Sequence, residues 1–447
     1  MKRTKWGITS IGIVPHIRKE NRAKKEEMAF IKTKQKYQLV ELTKSQFRQF
    51  STIHSQANFQ QTVEFSELLE KRGWQRVFFL GIKNEDEQII GATLVSGMKM
   101  KISYYYEICG GMLIDYDKEE VVAKFMYEIK KFVKQHNGSL LTIKPNVVYQ
   151  QKRSNGSIIR KPNQGLHNLL QSLKLTHEGF TQGYCDASPR CIFVKELKEM
   201  TSKKLLQSYH SSTRTKINRS IKKGIQIREL SERELPLFKD IMQHTSDRKG
   251  FSDKELEYYQ ILKETFKKEA KFLVAEVNIK MYMKSLFKQL VVNEEKHNQL
   301  IADTPKKKNQ EQGLKEERLA IQKRIDEICQ LSKSIENSQP LIVAGGLFIE
   351  TSNEIIYLFG GMYEEYKNFQ GASHLLQHHM MTYALERHIP RYNFYGISGV
   401  YDGTDGVLNF KRSFGGIVEE HLGSYHCILK PIQYYVYRYL KNKQKTK

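Results

Sequence analysis

Apolar positions along this chain switch repeatedly between a two-residue period and a three-to-four-residue period, the pattern of strands alternating with amphipathic helices. Residues 75–82 (QRVFFLGI) and 88–98 predict the two arms of a hairpin around the polar turn 83–87. The tyrosine-rich stretch 101–109 predicts a further strand entering the turn Gly110-Gly111, and 140–144 (LLTIK) a buried one that stops before Pro145. Between them Val122, Phe125, Met126, Ile129 and Val133 share one face of a helix over 119–135. Residues 45–69 and 166–173 read as helices, and 190–194 as a strand.

A second unit of similar order follows. Thr201 or Ser202 caps a predicted helix running to Lys223, where Gly224 ends it. Helices over 232–248 and 253–266 precede a strand at 270–277 (AKFLVAEV), whose partners come much later, at 340–349, 355–360 and 392–395. A helix over 373–387 lies between the last two. The expected fold class is therefore α/β (α+β), with one unit duplicated in pattern and no shared residue string.

Between 278 and 339 the periodicity belongs to neither sheet. Leu286, Leu290, Asn293, His297 and Leu300 step by four and three, as do Leu314, Arg318, Ile321, Ile325, Ile328, Ser332 and Ile335. The polar turn DTPKKKNQEQG joins the two runs, so they predict an inserted antiparallel two-helix coiled-coil arm, roughly 37 Å long at 25 residues per helix. A solvated strut is the plainer reading of the same pattern. The expected organisation is a basic extension (1–35), a first subdomain (36–195), a second subdomain (196–278 and 339–431) interrupted by the arm (279–338), and a basic, tyrosine-rich tail (432–447).

Composition narrows the function classes. The chain has 447 residues, and 73 Lys and Arg against 49 Asp and Glu give a net charge of +24, which predicts a polyanionic partner such as nucleic acid, anionic lipid or a phosphorylated substrate. No stretch of about 18 uncharged apolar residues reads as a membrane span. Residues 1–27 resemble no secretory signal and read as a basic extension, or as a start upstream of Met28. Five scattered cysteines without a CxxC pair fit a reducing, cytoplasmic compartment, and no cofactor or metal site is predicted. His374 and His378 stand at i, i+4 on one helix, but no acidic residue completes a metal-binding motif, so they read as packed or surface histidines.

The densest chemistry lies in YNFYGISGVYDGTDGVLNFKRSFG, residues 392–415. It reads as buried strand and turn, with Gly396, Gly399, Gly403 and Gly406 allowing sharp turns or close approach of a ligand. Lys411 sits between Phe410 and Phe414, where apolar neighbours hold a cation in partly dry surroundings suited to stabilising developing negative charge. A surface lysine beside a core strand is the alternative.

The segment YNFYGISG…GVLNFKRSFGG, together with WQRVFFLGIKNEDEQIIGATLVS, SSTRTKINRSIKKGIQIREL, RKGFSDKELEYYQILKETF, the double unit and the two-helix insertion, resembles the Fem family of aminoacyltransferases. The resemblance covers essentially everything after Tyr37. It implies two tandem GNAT-like subdomains and transfer of glycine, alanine or serine from aminoacyl-tRNA to the stem-peptide amine of a peptidoglycan precursor, lipid II or its UDP-MurNAc-pentapeptide form. By the same resemblance Lys411 matches the lysine of the FKxxF motif and would stabilise the oxyanion. Lys71 and Arg219 would hold the acceptor's diphosphate, Tyr357 would line the substrate groove, and Asp115 would orient the acceptor peptide. A solvated helix face competes for Arg219, with Lys216, Lys222 and Lys223 beside it, and core packing competes for Tyr357. The chain departs from the family where Cys109-Gly110-Gly111-Met112 replaces the usual Gly-Pro ahead of Asp115.

For tRNA the candidate surfaces are Lys306 to Lys308, the helix around Lys216 and the tail 441–447. The tail's tyrosines and lysines also fit weak, reversible association with the inner face of the cell membrane. Two other readings stay open. One is an acyl-coenzyme A-dependent GNAT-type acyltransferase, for which no phosphate-cradling loop is evident. The other is a non-catalytic basic RNA-binding protein, which leaves the glycine-aromatic-lysine segment without a role.

Overall fold

The computed structural model describes residues 36–184, 188–300, 304–332 and 340–445. The expected extension 1–35 lies outside them, as do residues 301–303 in the predicted turn between the arm helices and residues 333–339.

Two sheets organise the described residues. In the first the strands run in the order Gln38–Glu41, Arg76–Lys83, Ile89–Lys99, Tyr104–Cys109, Gly138–Lys144, Tyr425–Ile428 and Thr176–His177, with Leu113–Ile114 paired to Ile89–Lys99. The second runs Ile225–Glu229, Ala270–Val277, Leu341–Glu350, Ile355–Met362, Arg391–Gly396, Cys191–Glu196, Ile417–His421, Val148–Lys152 and Ile158–Arg160. Each sheet contains one parallel pair closed by a helix: Tyr104–Cys109 with Gly138–Lys144 through Glu119–Gln135, and Ile355–Met362 with Arg391–Gly396 through Ala372–Glu386. Parallel neighbours need such a crossover, so the repeated sequence pattern corresponds to a repeated βαβ unit.

Sheet membership does not follow a division at residue 195. Val148–Lys152, Ile158–Arg160 and Cys191–Glu196 belong to the second sheet, whereas Tyr425–Ile428, from near the end of the chain, pairs with Gly138–Lys144 in the first. The two halves are thus laced together by exchanged strands.

Two predicted helices are each broken in two. Residues 45–69 divide into Lys44–Ile53 and Val63–Lys71, because Asn58 accepts a bond from the Gln60 amide to start a short turn and Thr62 caps the next helix at Phe65 N. The helix expected over 202–223 divides into Ser202–Gln207 and Ser211–Lys222. There the Ser208 hydroxyl turns back onto Leu205 O, and His210 N bonds Ser413 O instead of continuing the helix.

The Glu119–Gln135 helix buries Val122, Phe125, Met126, Ile129 and Val133 against Tyr106, Leu141 and Ile143 of the first sheet. Burying each such side chain contributes about 1.5–3 kcal/mol. The insertion forms helices Ile279–Asn298 and Pro305–Ser332, which pack on each other. Asn293 to Glu317, Glu294 to Arg318 and His297 to Glu311 contacts make them antiparallel. At their foot Tyr282, Leu286, Ile321, Ile325 and Ile328 join the core of the second half.

The turn between Leu341–Glu350 and Ile355–Met362 latches the two halves. Asn353 Nδ2 donates to the carbonyls of His54, Ser55 and Ala57, and the Ser352 hydroxyl donates to Thr52 O. This latch fixes one wall of the cleft between the sheets.

Candidate active site

The strand Arg391–Gly396 and the helix after it position Lys411. The strand pairs antiparallel with Cys191–Glu196, with a bulge between Ile192 and Val194. At its end Tyr395 takes φ 64°, a left-handed conformation uncommon for a bulky residue, and Asn393 Oδ1 accepts from the Tyr395 amide at 2.8 Å. Gly399 and Gly403, with φ of 76° and 90°, carry the chain around to Asp405. That carboxylate caps the helix Gly406–Arg412, accepting from Val407 N and Leu408 N, and it also binds the amide and hydroxyl of Ser398. The segment expected as strand and turn therefore contains a helix, begun by its acidic cap.

Lys411 lies in the last turn of that helix and is 5 % exposed. Its ammonium donates to Gly396 O at 2.6 Å and, among the described residues, forms no ion pair. Burial pulls its pKa down to about 7, with Asp405 working upward and Lys249 downward. The flanking Phe410 and Phe414 rings pack edge-on to each other and around His374, with Phe394 behind Phe414. His374 is thus a core histidine, held neutral with a pKa of about 4 chiefly by burial, and His378 Nδ1 meets the Tyr209 hydroxyl at 3.1 Å.

A second buried lysine escaped the sequence reading. Lys195, 4 % exposed, donates to Phe414 O at 2.8 Å and Gly415 O at 3.4 Å, just past the end of the same helix. Burial brings it down to about 8. Its only signal was a lysine ending the apolar run CIFVK.

The other expected site residues do not converge on Lys411. Lys71 ends its helix in an ion pair with Glu264 at 2.5 Å, joining the first half to the helix Leu256–Phe266. Arg219 is exposed on Ser211–Lys222, and among the described residues it shares no contact with Lys71. Its neighbour Lys223 donates to Asn368 O, and its pKa is lowered by burial and then by Arg324 and Arg219. Lys223, Lys323, Arg324 and Tyr282 line a cleft of about 270 Å³ at the foot of the two inserted helices. Tyr357 stacks on Phe348 with ring centres 5.2 Å apart. Its hydroxyl occupies the space a side chain at Gly360 would need, so packing accounts for its position. Asp115 is exposed, 3.6 Å from Lys118, and bonds the Asp117 amide.

Between the sheets lies a separate cleft of about 60 Å³ that none of these residues lines. Asn58, Gln60, Gly110 and Lys144 face it from the first half, and Arg190, Glu354, Asn393, Tyr395 and His421 from the second. It backs onto the Lys411 region through the strand, since Tyr395 lines the cleft and the adjacent Gly396 carbonyl holds the ammonium. Behind its wall Arg391 Nη2 reaches Glu419 at 2.5 Å, and Gln151 Nε2 donates to the same carboxylate. Burial opposes ionisation of Glu419, but His421 and Arg391 hold it at about 2. Glu420 is held below the usual carboxylate range against burial by Lys152, Gln150 and Arg190. Burial pushes Glu354 upward, with Arg391 and Asn393 opposing. These carboxylates, written EEH and NE in the sequence, resembled ordinary surface alternation.

The model of the FemAB family matches residues 42–442. The chain belongs to the FemAB family. An aminoacyltransferase FemA from Staphylococcus epidermidis is 31% identical over 419 residues, covering 90% of this chain and 99% of that protein. One from Staphylococcus aureus is 30% identical over 408 residues, covering 89% and 96%. The crystal structure of FemX superposes with a TM-score of 0.72 at 19% identity, over 89% of this chain and 99% of that one. This FemAB protein therefore has the fold of FemX, two mixed sheets with crossover helices.

Proposed function

We propose that this FemAB protein is an aminoacyltransferase that moves glycine, alanine or serine from aminoacyl-tRNA to the stem-peptide amine of a peptidoglycan precursor, building the interpeptide bridge. The observation that carries this reading is the near end-to-end match to aminoacyltransferases FemA. The reaction is aminolysis of an activated ester, so the protein's main tasks are to align two substrates and to stabilise the tetrahedral oxyanion. Lys411 suits the second task. It is buried and anchored by one hydrogen bond, which leaves two N–H groups for an incoming oxygen.

Lys223, Lys323 and Arg324 line one cleft, of whose lining residues only Glu327 is acidic; Arg219 does not line it but acts electrostatically on Lys223, and this arrangement suits a substrate phosphate. Lys71 reaches a phosphate by exchanging its exposed Glu264 partner, a pair that contributes little to stability. Among the described residues no helix is long and apolar enough to cross a membrane. The last helix, Pro431–Lys445, exposes Ile432, Tyr435, Val436 and Tyr439 on one face, with Lys430 and Arg438 beside them. That face suits weak contact with an anionic cytoplasmic membrane surface, where a lipid-linked acceptor resides.

The test supplies purified precursor with glycyl-, alanyl- or seryl-tRNA, and separately with acyl-coenzyme A. Incorporation from one of the aminoacyl-tRNAs is expected. Incorporation from acyl-coenzyme A alone would overturn the reading.

A further inference from the structure

We infer that the inter-lobe cleft seats the primary ammonium of the acceptor on Glu354, whose free carboxylate oxygen takes the proton that the amine must lose before it attacks. The inference rests on the reading above and adds to it the group that activates the acceptor.

Glu354 is 8 % exposed and lines the cleft. Its Oε2 is engaged by Asn393 Nδ2 at 3.1 Å and lies 3.3 Å from Arg391 Nε. Its Oε1 has no hydrogen-bond partner among the described residues, yet it is not among the fully enclosed unpartnered atoms, so it faces the cleft. A buried carboxylate normally has both oxygens satisfied, and one left open toward a polar cavity is a receptor for a cationic donor. Arg391 approaches only Oε2 and shares its guanidinium with Glu419, so it leaves Oε1 open. The latch through Asn353, the preceding residue, holds Glu354 at a fixed distance from the first half. Gln60 also lines the cleft, and with its side-chain nitrogen bound to Ser188 its oxygen remains to accept one of the ammonium's other hydrogens. Burial raises the Glu354 pKa, which makes it a better base than a surface glutamate.

The proton balance closes. The ammonium gives one proton to Glu354, and the freed lone pair forms the C–N bond to the ester carbonyl. The nitrogen then releases a second proton. The C–O bond to the ribose breaks, the departing oxygen takes up one proton, and one is released to solvent for each turnover.

The test compares single-turnover transfer by the wild-type enzyme and Glu354→Gln from pH 6 to 9, with aminoacyl-tRNA and an amine-bearing precursor. Glu354→Gln is expected to be about a hundredfold slower at pH 7, with the deficit shrinking by about tenfold per pH unit as solvent takes over deprotonation of the amine. Glu354→Asp should restore part of the rate at the acid end. A rate within threefold of wild type, or a deficit that does not change with pH, overturns the inference. Binding to the wild-type protein tests it without a variant: the amine-bearing precursor should bind about tenfold tighter than its N-acetylated form, and equal affinities also overturn it. If the wild type transfers nothing, the functional reading itself fails, which is a separate outcome.

Discussion

Two lysines are buried around one short helix, and they use their charge differently. Lys195 donates to two carbonyls past the helix end, where the backbone's partial negative charge collects, and its ammonium lies 5.6 Å from the centre of the Tyr209 ring. Lys411, within the helix, has one carbonyl, and the attraction of Asp405 is opposed by repulsion from Lys249. The first cation is satisfied by the fold and ties the helix to the sheet. The second is left with unused donors, which a stable fold does not require and an oxyanion can use. Burial alone does not mark a catalytic lysine. Unmet hydrogen-bonding capacity distinguishes the two.

The sharpest break in this comparison is Lys411→Met. Single-turnover transfer should fall by about a hundredfold or more, while the melting temperature stays level or rises because an unpaired buried ammonium is gone. A rate loss matched by unfolding would make Lys411 another structural lysine. Next comes pH. The folded pKa of Lys411 is lowered to about 7 from an ordinary 10.5, so its charge is lost as pH rises through 7. The transfer rate, normalised to Lys411→Met, which shares the deprotonation of the acceptor amine but lacks this cation, should decline by up to about tenfold per unit above that point. Stability has the opposite sign: the unfolded state binds more protons between about 7 and 10.5, so stability should climb across that window. In Lys411→Met that climb should be smaller, as read from urea midpoints.

Lys195→Met should do the reverse of Lys411→Met. Leaving the Phe414 and Gly415 carbonyls without their donor costs about 1–3 kcal/mol by urea unfolding, with the rate per folded molecule within threefold of wild type. The smallest effect is expected for Arg219→Ala, which should lower the slope of log affinity against log salt for the phosphate-bearing substrate by about one.

The sequence carried the family and the repeated unit further than it carried the site. The helix over 119–135 was legible at both ends because its apolar stripe is unbroken, and the FKRSFGG segment was specific enough to place the chain among aminoacyltransferases. Strand exchange was not legible: nothing in YHCI says which of two sheets will pair with it, since its partner strand Gly138–Lys144 lies hundreds of residues earlier. The Gly406–Arg412 helix was hidden by its glycines and aromatics, although Asp405 before GVLNF is an N-cap signal. Glu354 and Glu419 were passed over because an acid in a strand pattern normally faces water. Their partners Arg391 and Asn393 lie 28 and 39 residues away, so their burial emerges only from the fold.

The most direct test of the central claim is to follow the Lys411 ammonium by nuclear magnetic resonance in lysine-labelled protein, with Lys411→Met to assign the signal. Titrations would be compared with and without a phosphonate mimic of the tetrahedral intermediate. Titration near 7 in the free protein, moving upward when the anion binds, is the predicted result. Titration near the ordinary lysine value in both states, or a midpoint that the mimic does not move, would contradict a buried cation that meets the oxyanion.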